Sequence, residues 1–232
     1  MVFIQKDIVG DSLWFIGHGS PMNALMDNPF TQSLNQLGAS IAPPQAVLVV
    51  SAHWLTRGGS FVQASPNPET IHDFGGFPRE LHQFQYPSPG SPFFASALAD
   101  QVQAIEPTTE WGLDHGAWSV IKHLYPEANI PVIQLSIDYT QPAHYHFDLA
   151  KQLQSLRYKG VLIIGSGNMV HNLRMIAWDK MNVDNFGFDW ALEMNSIFKE
   201  KINSRNHFFA CSSFLFLLVV NLIFIKSYSY FF

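Results

Sequence analysis

A single cysteine, Cys211, in 232 residues excludes an internal disulfide and any cysteine-based zinc knuckle. Charge is also scarce: 13% of the residues are Asp, Glu, Lys or Arg, and the formal balance is −5. No cluster of Lys and Arg is present to track phosphates, so nucleic acid is not an expected partner. The opening residues, Met1 to Asp7, lack a basic segment followed by a long apolar stretch, and no signal peptide is expected. With one cysteine, a reducing cytoplasm is the expected setting. No internal repeat is found, and no linker argues for a second globular domain.

Histidine is what the chain has in quantity. Ten histidines against thirteen Lys and Arg point towards metal or acid–base chemistry. Hydrophobic residues make up 47%, enough for one sizeable core. Apolar runs at Leu13–Ile16, Ala46–Ser51, Pro131–Ile137 and Val161–Gly165 read as strands, the continuous kind that a sheet buried on both faces requires. Between them, helical spacing covers about Pro29–Leu37, Pro92–Ala104, a short stretch towards Tyr125, Ala143–Leu156 and Trp190–Ile202. Asn28 or Thr31 is the expected cap of the first helix, and Gly160 the stop of the fourth. The alternation predicts an α/β fold: a single-domain layered α/β architecture with a central, mostly parallel or mixed sheet flanked by helices. A loop rich in Pro and Gly fills Thr56–Pro92, and a loop of that length inside a compact domain is usually functional.

Three strands run into small-residue turns that carry histidine: His18 in Gly17-His18-Gly19-Ser20, His53 in Ser51-Ala52-His53-Trp54, and His171 after Ser166-Gly167-Asn168. Ligands of α/β folds bind beyond the carboxyl ends of such strands, so imidazoles arriving there from distant segments suggest one shared metal site. Neutral imidazole suits Zn(II) or Fe(II). His171 is a candidate third ligand or the acid–base group beside the ion. His115, in Asp114-His115-Gly116, is a candidate acid–base residue whose tautomer Asp114 is expected to fix. His72 and Asp73, with the loop Phe74-Gly75-Gly76-Phe77-Pro78, line a candidate pocket for an aromatic substrate.

Taken together, the strings GHGSPMN, SAHW, IHDFGGFP, YPSPGSP, DHGAW, QLSID and GSGNMVHN resemble, in order and spacing, the LigB-type class III extradiol ring-cleavage dioxygenases, in their 4,5-DOPA extradiol dioxygenase-like branch. The resemblance covers roughly residues 10–200. It implies a LigB-like α/β domain, one non-haem metal ion (Fe(II) for oxygenation, with Zn(II) often bound instead) and a small aromatic catechol substrate cleaved with O2. Carried over, His18 and His53 match the first two metal ligands. His171 matches a residue described as a further ligand or as the acid–base group at the metal. His115 matches the histidine expected to hold or deprotonate the catechol, and His72 and Asp73 match the branch's loop motif, a substrate-binding element. An inactive zinc-binding remnant of the family is the alternative that the same residues allow.

The resemblance stops near Arg205. The family's further portion, with a last ligand histidine near a Thr-Pro-Glu-His-type string, has no counterpart in the following residues, and His207 has the wrong surroundings for it. Residues 1–205 therefore read as a C-terminally incomplete dioxygenase-like domain, and 206–232 as an unrelated hydrophobic tail. Phe208–Ile225 runs without a charge, and the tail holds seven of the twenty phenylalanines. A membrane anchor, a buried helix and strand, and out-of-frame read-through all account for such a composition. Membrane association is expected only under the first.

Overall fold

A computed structural model describes residues 2–6, 12–168, 172, 175, 177–180, 183 and 186–204. His171, His207 and the segment 206–232 lie outside the described residues. The elements are β1 (Val2–Lys6), β2 (Ser12–Ile16), α1 (Pro29–Ala39), β3 (Ala46–Thr56), β4 (Ser60–Gln63), α2 (Arg79–His82), α3 (Pro92–Gln101), β5 (Ile105–Thr108), α4 (His115–Leu124), β6 (Val132–Asp138), α5 (Ala143–Arg157), β7 (Val161–Ser166) and α6 (Asp189–Asn203). Two compact units divide the chain, residues 1–141 with 148–167, and residues 142–147 with 168–232. The second contributes the short turn Trp178–Lys180 and α6, on which Phe198 is buried.

The first unit holds a seven-stranded mixed sheet in the order β1-β2-β7-β3-β6-β4-β5. β2, β7, β3 and β6 run parallel to one another, β1 pairs antiparallel with β2, and β4 pairs antiparallel with β6. The expected α/β architecture with a mixed sheet is what the chain adopts. Alternation explains why its central strands are so apolar. Val47, Val49, Leu162 and Ile164 join Trp14 and Ile16 in one core with Leu34 of α1 and Ala117, Trp118 and Ile121 of α4. Leu48 and Ile163, which point the other way from these strands, are buried as well.

Four elements escaped the sequence reading. β1 lies ahead of the first expected strand, β4 and the four-residue helix α2 lie inside the stretch Thr56–Pro92 that reads as loop, and β5 follows the second expected helix where no element was expected. The second expected strand also ends too early: β3 continues through His53 to Thr56, with an irregularity in its pairing to β6 between Val50 and Leu55. His53 thus belongs to the strand rather than to a turn after it. A break in register of this kind re-aims side chains without ending the strand.

Helix α1 starts where expected, and both candidate caps are used. The Asn28 side chain accepts from Thr31 N at 3.0 Å while Asn28 N donates to Thr31 Oγ1 at 2.9 Å. Among the described residues, no helix is long and apolar enough to cross a membrane.

Helix α1 crosses α4 at Gly38. A Cβ there would lie 2.1 Å from the carbonyl oxygen of Leu124. Overpacking of this kind costs about 1–3 kcal/mol, more than the roughly 0.5–1 kcal/mol that alanine gains over glycine inside a helix. Gly38→Ala is therefore expected to lower the urea midpoint; an unchanged or higher midpoint would mean that α1 does not rest on α4.

Candidate metal centre

At the carboxyl end of the parallel strands, three histidines meet. His18 follows β2 through Gly17, in a turn that its neighbours hold. Gly19 takes a φ of +69°, and a Cβ there would come within 2.9 Å of Asn23 Nδ2. That Nδ2 donates to the His18 carbonyl at 3.0 Å, and Asn28 Nδ2 in turn donates to Asn23 Oδ1 at 3.1 Å. His53 comes from the far part of β3. His115 is the first residue of α4, not a loop residue. One nitrogen from each of the three lies within 4.8 Å of the others. Nε2 of His18 is 3.1 Å from Nε2 of His53, and the His53 and His115 rings stand 3.9 Å apart. His18 and His115 are buried, and His53 is partly exposed.

Asp73 links two of these rings. Its Oδ1 accepts from both N and Nδ1 of His115, each at 2.9 Å, and its Oδ2 lies 3.4 Å from Nδ1 of His53. Burial pushes this carboxyl up, but the hydrogen bond and charge of His115, together with the charge of His53, outweigh burial and hold it below its ordinary value. An anion at this place keeps hydrogen on Nδ1 of His115, which leaves Nε2 of that ring as the basic nitrogen.

Asp114 was the residue expected to do this, and it does something else. It is the N-cap of α4, with Oδ1 accepting from Ala117 N at 3.1 Å and from the Ser51 hydroxyl at 2.7 Å. Gln134 of β6 donates Nε2 to its Oδ2 and accepts from its backbone N at 3.3 Å. Fully buried, Asp114 has its pKa pushed up to about 6, by burial first and by the Asp73 charge next. A capping side chain points back along its own helix, so the carboxylate for His115 has to come from another segment.

Of the remaining candidates, His171 lies outside the described residues and His72 is placed. His72 donates Nε2 to the Phe84 carbonyl at 2.9 Å and packs against Phe74 and Trp118. Phe74 meets the His115 ring edge-on at 5.6 Å. Ser51, Gln134 and Ser166 were not singled out from the sequence. Gln134 had a signal: one amide in the seven-residue strand β6, buried throughout, must find a partner.

The residues fit a metal ion. Nitrogen ligands about 2.1 Å from a zinc-like ion stand roughly 3.0–3.4 Å apart at right to tetrahedral angles, and the His18–His53 separation of 3.1 Å falls in that range. Two imidazole lone pairs this close repel each other unless a cation or a proton lies between them.

Removing Gln134's amide leaves the Asp114 carboxyl buried without that donor, and a hydrogen bond to a charged group is worth about 1.5–3 kcal/mol. Gln134→Ala is expected to destabilise the fold by about that much in chemical denaturation. An unchanged midpoint would show that the amide does not hold α4.

Comparison with known proteins agrees with this geometry. The chain is 45% identical over 209 residues to the 4,5-DOPA dioxygenase extradiol of Escherichia coli (strain K12), covering 87% of this chain and 76% of that one. It is 42% identical over 166 residues to the protein of the same name from Beta vulgaris, covering 68% and 62%. Among solved structures, an uncharacterized protein of Escherichia coli K12 superposes with a TM-score of 0.66 at 39% identity, over 83% of this chain and 71% of that one. The family model of the catalytic LigB subunit of aromatic ring-opening dioxygenase matches residues 13–205. That span runs from β2 past α6 and takes in all three clustered histidines and Asp73, which links two of them. The chain belongs to the LigB family of aromatic ring-opening dioxygenases, a family of metal-dependent oxidoreductases.

Proposed function

We propose that this chain is an extradiol ring-cleavage dioxygenase that opens a catechol-type substrate such as DOPA with molecular oxygen. The observation that carries the reading is the His18–His53 nitrogen pair lying beside a His115 that Asp73 orients, in a chain of this family. His18 and His53 are the proposed ligands in the described residues, and His171, carried over from the family pattern, is a further one. Fe(II) is the ion proposed for oxygenation, and Zn(II) is the other that these donors suit. When bound, the ion supplies the electron path between ring and dioxygen that side chains lack. A reducing cytoplasm suits both a ferrous ion and a chain with one cysteine.

His115 takes a proton from a ring hydroxyl. Asp73 keeps hydrogen on Nδ1, so Nε2 receives the proton, and the same carboxylate offsets the positive charge that results. Phe74 beside His115, with Phe77 and Trp118 against Phe74, offers the aromatic wall for the substrate. In this scheme Asp73 acts on the substrate through His115, and His72 acts by fixing its loop to Phe84.

The test is anaerobic Fe(II) loading, followed by oxygen uptake and the absorbance of a yellow product with DOPA or a simple catechol. His18→Ala and His53→Ala are expected to lose both metal and uptake. His115→Ala is expected to keep the metal and lose about 10²–10⁴-fold in rate, the usual worth of a general acid–base group. A folded chain that binds metal yet consumes no oxygen with any catechol would overturn the dioxygenase reading and leave a metal-binding relative.

A further inference from the structure

A buried hydroxyl has one proton to give, and the direction in which it gives it constrains its neighbours. Ser166 closes β7 at 1% exposure. Its Oγ lies 2.5 Å from the carbonyl oxygen of Gly116 and 3.0 Å from Nδ1 of His18. A carbonyl has no proton, so the Ser166 hydroxyl donates to Gly116. The serine oxygen then meets His18 as an acceptor, and Nδ1 of His18 must carry hydrogen. In its neutral form the ring is the Nδ1–H tautomer, with its lone pair on Nε2, the nitrogen 3.1 Å from His53.

We propose that Ser166 is a positioning residue of the metal centre: by accepting from His18 and donating to Gly116, it selects the tautomer in which His18 offers Nε2 to the ion. It also ties that choice to the helix turn that carries His115. The inference rests on the metal-dependent reading above and deepens it.

Strand register strengthens the assignment. Ser166 stands directly opposite Ser51 across the β7–β3 ladder and opposite Ile16 across β7–β2. Ser51 grips the same helix turn from its own side, donating to Asp114 at 2.7 Å and accepting from His53 N at 3.2 Å. Two hydroxyls on one rung therefore hold the start of α4 between the strands that deliver His18 and His53. Of the two, Ser166 is the one that touches an imidazole, and it reaches the nitrogen that faces away from the cluster.

The experiment compares the full chain with Ser166→Ala and Ser166→Thr. Nitrogen NMR of the metal-free imidazoles reads the His18 tautomer, assigned by its loss in His18→Ala, and competition titration with Zn(II) and Co(II) reads affinity. Ser166→Ala is expected to let the Nε2–H form of His18 appear and to weaken ion binding about 10–100-fold, the range for losing a partner of a ligand histidine. Ser166→Thr, which keeps the hydroxyl, is expected to recover both. A folded Ser166→Ala with an unchanged His18 pattern and unchanged affinity would reduce Ser166 to a structural hydrogen bond and overturn the inference. Should Ser166→Ala fail to fold, Ser166→Cys, a weak acceptor of similar volume, carries the same comparison. A wild-type chain that binds neither ion overturns the metal reading and this inference with it, whereas a metal-binding wild type whose His18 is Nε2–H overturns this inference alone.

Discussion

How closely the first turn of α4 approaches β3 decides the rest of the centre. A Cβ on Gly116 would lie 2.6 Å from Ser51 Oγ and 3.1 Å from His53 Cδ2. A residue without a side chain lets the helix begin against the strand, and beginning there sets His115 beside His53. The polar groups that this contact buries are then paired with one another: Asp114 with Ser51 and Gln134, and the Gly116 carbonyl with Ser166. Satisfied networks in a low-dielectric interior are rigid, and half-satisfied ones are costly. The rigidity of the centre is the return on that burial.

Two aspartates near one histidine take opposite characters because their surroundings differ. Asp73 faces imidazoles and is held ionised. Asp114 is sealed under the helix and pushed towards its neutral form. The first orients a ring, while the second anchors backbone and strand. Adjacency in sequence favoured the second for His115; the geometry of an N-cap reserves it for amides of its own helix.

Much of this was legible in advance. Apolar runs gave the strands β2, β3, β6 and β7 because both faces of those strands are covered, and Asn28 with Thr31 announced α1 through a local reciprocal bond. His18, His53 and His115 stood out through small-residue surroundings, and the structure gathers these three. What stayed hidden depends on pairing between distant segments. β4 and β5 are too short for a periodic signal, and β3 passes His53 through an irregularity that no local pattern encodes. Asp73 reaches His115 from a loop forty-two positions away, and Ser166 reaches His18 across the sheet.

The shared rung of Ile16, Ser166 and Ser51 makes the site a witness to the sheet's alignment. His18 and His53 each lie two residues past that rung, His18 in the turn after β2 and His53 on β3, two strands that are not neighbours but flank β7. A slip of β7 by one residue would set Gly165 or Gly167 where the hydroxyl stands and turn every side chain of the strand to its opposite face. Such a chain would keep all its histidines and still lack their convergence. An ion held at the proposed site would stabilise the molecules whose strands are in step and give nothing to those that are not.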